Sequence, residues 1–194
     1  LWNDEPAVHV IRRADNAGRG DWVHDWSPMD PITYEEAHIE IFSNAEEVEL
    51  FVNNESQGVF KVADDREPIK ANINFFEGEL RAEARTQGKV VATEIMTTAK
   101  EPAKIVLIPH LEKISNNGED VSYVKAMVVD KNGVRCPDAD HVIEFTIEGA
   151  GKIIAVDNGD IFSHVPNITN EMNAFYGECY AVVKATKDAG SIKI

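Results

Sequence analysis

The sequence predicts an all-β chain built as two consecutive immunoglobulin-like antiparallel β-sandwiches. Apolar side chains recur at every second position. Ile39 and Ile41 alternate with His38, Glu40 and Phe42, Val48, Leu50 and Val52 with Glu47, Glu49 and Phe51, and Leu80, Ala82 and Ala84 with Arg81, Glu83 and Arg85. A period of two marks a strand with one buried and one open face. Turn-forming clusters interrupt these runs roughly every 8–12 residues, as sandwich architectures require. No strand–helix–strand repeat and no long amphipathic helical pattern occurs.

Taken in order, residues 1–32 are an irregular lead-in. A short strand is expected over residues 7–11, followed by a polar loop over 12–21. Trp22 and Trp26 then sit four apart before Ser27-Pro28 and Asp30-Pro31, and the prolines favour an ordered loop over a helix. From His38 a β-meander is expected, with an apolar and an acidic face. Its strands cover 38–42, 48–52 and 57–60, and the rest of the chain must supply the second sheet. The break at Asn53-Asn54-Glu55-Ser56 suits asparagines at positive φ. Strands over 69–75, 79–86 and 89–98 complete the first domain, residues 1–100. The polar, proline-containing run 98–102 reads as a junction. An immunoglobulin-like sandwich follows over 101–194, with strands at 103–108, 121–130, 141–148, 151–156, 178–186 and 192–194. Asp130-Lys131-Asn132-Gly133 is expected to turn a hairpin, and Asp157-Asn158-Gly159-Asp160 an Asx-supported turn with Gly159 at positive φ.

With 19 basic and 34 acidic side chains the formal charge is −15. Residues 1–100 carry 10 basic and 20 acidic groups, and residues 101–194 carry 9 and 14, so both halves are acidic. Such a surface repels nucleic acid and anionic membrane, and no apolar run is long enough to span a bilayer. The chain begins Leu-Trp-Asn without Met, and a fragment of a longer protein is expected. The two cysteines, Cys136 and Cys179, cannot make a disulfide framework. A bridge between them is open but disfavoured, and Cys179 reads as a small buried side chain in a strand.

The abundant acids are not expected to form a catalytic pair. Glu40, Glu49 and Glu83 fall on the solvent side of their strands, whereas retaining glycoside hydrolysis needs two carboxyls roughly 5 Å apart. Asn54-Glu55 lies in a turn with nothing to hold it. The six histidines show no metal-ligand spacing, so neither a metal nor another cofactor is expected. The turn at 157–160 lacks the further ligands of a calcium loop. Trp22, His24 and Trp26 are the carbohydrate-contact candidates, since aromatic faces pack on sugar rings while a polar neighbour takes a hydroxyl. The competing expectation is that these tryptophans plug the end of a sandwich. Asn54-Glu55-Ser56 and Asn167-Ile168-Thr169 match the weak glycosylation sequon.

Several segments resemble the region after the catalytic barrel in β-galactosidase-like enzymes of glycoside hydrolase family 2. SNAEEVELFVNNESQG (43–58) is similar to SNADEVELFLNGKSLG, and AKEPAKI (99–105) to AGEPAKL. VRCPDAD (134–140) is similar to VVPDAD, with Cys136 a departure, and GAGKIIAVDNGD (149–160) to GPGRIVGVDNGD. Leu1-Trp2 resemble the last residues of the barrel and residues 6–10 the segment leaving it. The Trp22–Trp26 stretch resembles the family's tryptophan-bearing stretch before the acidic-faced meander, with a longer loop preceding it here. The resemblance implies that a full-length enzyme hydrolyses β-galactosides or related β-glycosides with two barrel glutamates, in a periplasmic or secreted setting. Neither glutamate's motif occurs here, so no catalytic residue is assigned. The fragment itself is then expected to be inactive, an accessory region with the (β/α)8 barrel of the same chain as its partner. An oligosaccharide ligand and a homo-oligomer are further partners this reading admits. The alternatives are a carbohydrate-binding module and an immunoglobulin-like adhesion or spacer module.

Overall fold

The computed structural model describes residues 5–15, 22–63 and 67–194, which form sixteen strands and no helix. Leu1-Trp2 and residues 16–21 of the expected loop lie outside the described residues. Two compact units are present, Leu1–Thr98 and Ala99–Ile194.

The first unit holds β1 (Val8–Arg13), β2 (Trp22–Val23), β3 (Glu36–Ser43), β4 (Glu47–Val52), β5 (Glu55–Lys61), β6 (Ile69–Asn74), β7 (Glu79–Thr86) and β8 (Lys89–Thr97). They make two four-stranded antiparallel sheets, ordered β2-β1-β3-β6 and β5-β4-β7-β8. Val10, Ile39 and Ile41 of one sheet share a core with Val48, Leu50, Val52, Leu80, Ala82 and Ala84 of the other. The alternation seen in the sequence therefore chose the buried face correctly.

The expected meander is corrected. β3 does not pair with β4; it lies between β1 and β6, while β4 lies between β5 and β7. The Ser43–Glu46 turn carries the chain across the core from one sheet to the other. Its side chains bond the entry segment instead of a hairpin partner. Ser43 Oγ donates to Ala7 O at 2.8 Å, and Asn44 Oδ1 accepts the Ala7 N–H at 2.8 Å. Periodicity fixes which face is apolar and is silent about which strand is the neighbour. The next turn matches expectation, with Asn53 at φ 51° and Asn54 at φ 68°.

On the outer face of β4 and β7 the acids are paired with arginines both across and along the strands. Arg85 Nη2 reaches Glu49 at 3.0 Å and Glu83 at 2.6 Å, and Arg81 stands 4.5 Å over the Phe51 ring. Glu40 faces Lys70 at 3.7 Å. Glu49 and Glu83 thus line the outer face of one sheet, and Glu40 lies on the other sheet.

The second unit holds β9 (Lys104–Pro109), β10 (Val121–Val129), β11 (Val142–Glu144), β12 (Glu148–Gly149), β13 (Gly151–Asp157), β14 (Glu171–Asn173), β15 (Glu178–Ala185) and β16 (Ile192–Lys193). One four-stranded sheet runs β13-β15-β10-β9, with two-stranded pairs β11-β14 and β12-β16. The expected strand over 141–148 is split into β11 and β12. Phe145, buried, continues the β11–β14 register by donating its N–H to Asn170 O at 2.7 Å, and β12 then pairs with β16 instead. β14 has only three residues, too few for a period-two signal. The core is rich in small side chains: Ala126, Ala139, Ala174, Ala181 and Cys179 pack with Val128, Ile143, Phe145, Val156 and Met172.

Asp130, fully buried, organises the turn after β10. Its carboxylate accepts N–H bonds from Asn132 at 2.8 Å, Val134 at 2.9 Å and Lys100 at 3.2 Å. Burial raises its pKa, but these donors outweigh that and hold it below the usual carboxylate range. Cys136 and Cys179 are both free and buried, and desolvation pushes the Cys179 thiol up to about 12. Gly159 has φ 75°, with its N–H on Asp157 Oδ1 in the expected Asx turn.

Candidate functional site

The polar chemistry of the first unit concentrates where β1 and β2 end one sheet and β8 edges the other. The expected strand over 7–11 extends to Arg13, and Arg12 is an interior residue at 1% exposure instead of a loop residue. Its guanidinium places Nε 3.1 Å and Nη2 2.7 Å from Asp25 Oδ1, donates to Ser27 O at 2.9 Å, and lies 5.5 Å over the Tyr34 ring. Desolvation works against the charge, but the adjacent Asp25 carboxylate more than compensates, and the Arg12 pKa is raised. Charge, hydrogen bonds and aromatic face together permit an arginine here.

This pair explains the fate of the three carbohydrate-contact candidates. In an extended chain Trp22, His24 and Trp26 would share a face. Trp22 and His24 are exposed, flanking buried Val23. At Asp25 the alternation stops, because its carboxylate turns inward to Arg12 and also accepts the Ser27 N–H at 3.0 Å. Trp26 is thereby driven into the core at 0% exposure. Its ring lies 5.0 Å from Phe75, and its Nε1–H donates to Phe76 O at 3.1 Å. Trp26 thus plugs the sandwich and offers no face to a sugar, so a platform of two tryptophans is not formed. Trp22 keeps 39% of its surface.

His24 instead meets two residues that sequence spacing did not connect with it. Its ring is 4.6 Å from that of His9 on β1, and Glu94 on β8 lies between them. Glu94 Oε1 is 3.0 Å from His9 Nδ1 and 3.1 Å from His24 Nε2, while Oε2 accepts the Val10 N–H at 2.5 Å. Fifteen positions separate His9 from His24, and 70 separate His24 from Glu94, so only the pairing of strands assembles them. This cluster sets two imidazoles against one carboxylate; it offers no second opposed carboxylate for glycoside hydrolysis.

A second feature lies on the other unit. β9 carries Ile105, Leu107 and Ile108, all substantially exposed, on the outer edge of its sheet. A cleft of about 350 Å3 opens beside it, lined by Leu107, Pro109, Leu111, Ile114, Val183 and Ile194. Its walls are mainly apolar, and the lining includes the Ser122 hydroxyl, already bonded to Leu111 O.

Comparison with known proteins places these units. Residues 105–194 match glycoside hydrolase family 2 C-terminal domain 5, and residues 35–92 match a domain of unknown function (DUF4982). A beta-galactosidase of Bacteroides ovatus, BoGH2A, is 38% identical over 196 residues, covering all of this chain and 21% of its own length. A beta-glucuronidase of Formosa agariphila is 27% identical, again across the whole chain and over 18% of its own length. In the solved structure of a glycosyl hydrolase family 2 member from Bacteroides cellulosilyticus the same fold recurs with TM-score 0.89 and 28% identity, over 98% of this chain and 27% of that one. The chain spans about a fifth of the length of the B. ovatus and F. agariphila relatives. It belongs to glycoside hydrolase family 2, as C-terminal β-sandwich domains of that family.

Proposed function

We propose that this region is a non-catalytic accessory part of a longer enzyme that hydrolyses β-galactosides or related β-glycosides, and that its sandwiches buttress a catalytic (β/α)8 barrel or shape the edge of its cleft. The observation that carries this reading is the open apolar strand β9 beside its apolar cleft. A contiguous exposed patch of this kind marks a contact surface. The pairing of Glu49 and Glu83 with Arg81 and Arg85 on an open sheet face supports it from the other side. Acids engaged in this way are not a proton donor and nucleophile facing each other across a bond.

The expected result is that the purified 194-residue chain releases no nitrophenol from nitrophenyl β-galactoside or β-glucuronide. Turnover that scales with purity overturns the proposal. Titration with galactose- and xylose-containing oligosaccharides under tryptophan fluorescence separates scaffold from sugar-binding module. Saturable quenching that is lost in Trp22→Ala would establish the module instead.

A further inference from the structure

We propose that His9, His24 and Glu94 form a binding site for a divalent first-row transition ion, best suited to Zn2+, which clips together the edges of the two sheets of the first unit. The ligand atoms His9 Nδ1, His24 Nε2 and Glu94 Oε1 all lie within 4.8 Å of one another. With metal–ligand bonds of about 2.0–2.2 Å, two donors on a tetrahedral ion stand roughly 3.3 Å apart. The carboxylate oxygen is already 3.0 and 3.1 Å from the two ring nitrogens. Both imidazoles are about half exposed, so they can turn the small distance needed without disturbing the core.

The carboxylate is the anchored member of the set. It is mostly buried, and its second oxygen accepts the Val10 N–H at 2.5 Å, which fixes the direction in which Oε1 points. Metal-binding carboxylates are commonly oriented by such an outer hydrogen bond. Two imidazole nitrogens and one carboxylate oxygen favour zinc, copper, nickel or iron, whereas calcium and magnesium prefer all-oxygen shells. Three protein ligands leave a fourth position for water. Each neutral imidazole donates one lone pair, which requires the His9 proton on Nε2 and the His24 proton on Nδ1.

The position gives the ion a structural consequence. His9 is on β1, His24 follows β2 directly, and Glu94 is on β8, the edge strand of the opposite sheet. An ion held by all three spans the gap between the two sheets at this edge of the sandwich. Because such a site exists only in the folded chain, its binding energy is added to folding stability.

The test is calorimetric titration of the chelator-treated chain with Zn2+ in excess Mg2+, so that the acidic surface does not contribute. One equivalent is expected to bind saturably, with affinity lowered at least ~10-fold in each of His9→Ala, His24→Ala and Glu94→Gln. His164→Ala, an exposed histidine of the second unit, is expected to change nothing. Co2+ at the same site is expected to give the visible absorption of a four- or five-coordinate ion. Zn2+ at a hundredfold excess over its Kd is expected to raise the melting temperature by roughly 10 °C in the wild type and not in the three variants, which guards against a variant that merely folds poorly. Absence of saturable binding at one equivalent overturns the proposal. So does binding that survives any one of the three substitutions undiminished, since the ion would then be held by other groups.

Discussion

The two units are built from the same kind of strand and bury them differently. In the first, each four-stranded sheet is covered by the other, and β4 and β7 alternate cleanly between buried and half-buried positions. In the second, β10 and β15 alternate in the same way, but β9 is open on both sides although it reads Ile-Val-Leu-Ile. Both cores carry alanines, but branched aliphatics and Trp26 fill most of the rest of the first, whereas two cysteines, Cys136 and Cys179, join the alanines of the second. Period two signals a strand that has a facing sheet within the same unit. An apolar run without alternation, at a sheet edge, signals a strand whose cover is not supplied by its own unit.

The chain carries built-in probes for testing this contrast, since all three tryptophans precede Thr98 and both cysteines follow it. Tryptophan emission in urea therefore follows the first unit, and pulsed thiol labelling follows the second. The largest effect is expected from Asp25→Ala, which strips the main carboxylate from the buried Arg12 guanidinium. Breaking a buried charge pair costs about 3–5 kcal/mol, and the Asp15 carboxylate, 3.4 Å from Arg12 Nη1, offsets only part of that. The tryptophan transition should move to lower urea while the thiol transition stays in place. A loss below about 1 kcal/mol would mean that the closed edge of the first sandwich does not depend on this pair.

Next in size is a matched pair of truncations. Leu50 is fully buried between sheets, and Leu50→Ala should cost about 2–5 kcal/mol by tryptophan emission. Leu107 on β9 is exposed, and Leu107→Ala should cost less than about 1 kcal/mol by thiol labelling. Equal costs would erase the distinction between a covered and an open strand, and with it the argument that β9 awaits a partner.

The same physics sets what the sequence reveals. The buried faces of β3, β4 and β7 are legible because one apolar and one polar residue alternate, and the family resemblance rests on short segments that turn or cross at fixed points. Strand neighbours are not legible: nothing in residues 38–52 says that Ser43 and Asn44 bond to Ala7 and Glu5, which is what sends β4 to the opposite sheet. Arg12 reads as a loop residue because arginine is seldom interior, and its partner Asp25 is 13 positions away. Alternation puts Trp26 beside Trp22, and it fails at the residue between them whose side chain turns inward. His9, His24 and Glu94 carry no motif, since a site assembled across two sheets leaves no local spacing.

The smallest effect compares a turn from each unit. Gly159 in the second unit sits at φ 75°, and a Cβ added there meets nothing within 4 Å. Gly159→Val should therefore cost only the backbone term of a β-branched residue in the left-handed region, about 1 kcal/mol, read by thiol labelling. Gly78 in the first unit has φ 131°, and a Cβ there would run into the Asn53 side chain. Asn53 cannot simply swing aside, because its Oδ1 accepts the Glu79 N–H and its Nδ2 donates to Glu77 O, both at 2.9 Å. Gly78→Ala should thus lose these bonds in addition to the strain, at least roughly 1 kcal/mol more than Gly159→Val. If the two substitutions cost the same, the Asn53 contacts contribute nothing beyond backbone conformation, and the first unit is no more tightly tied at its turns than the second.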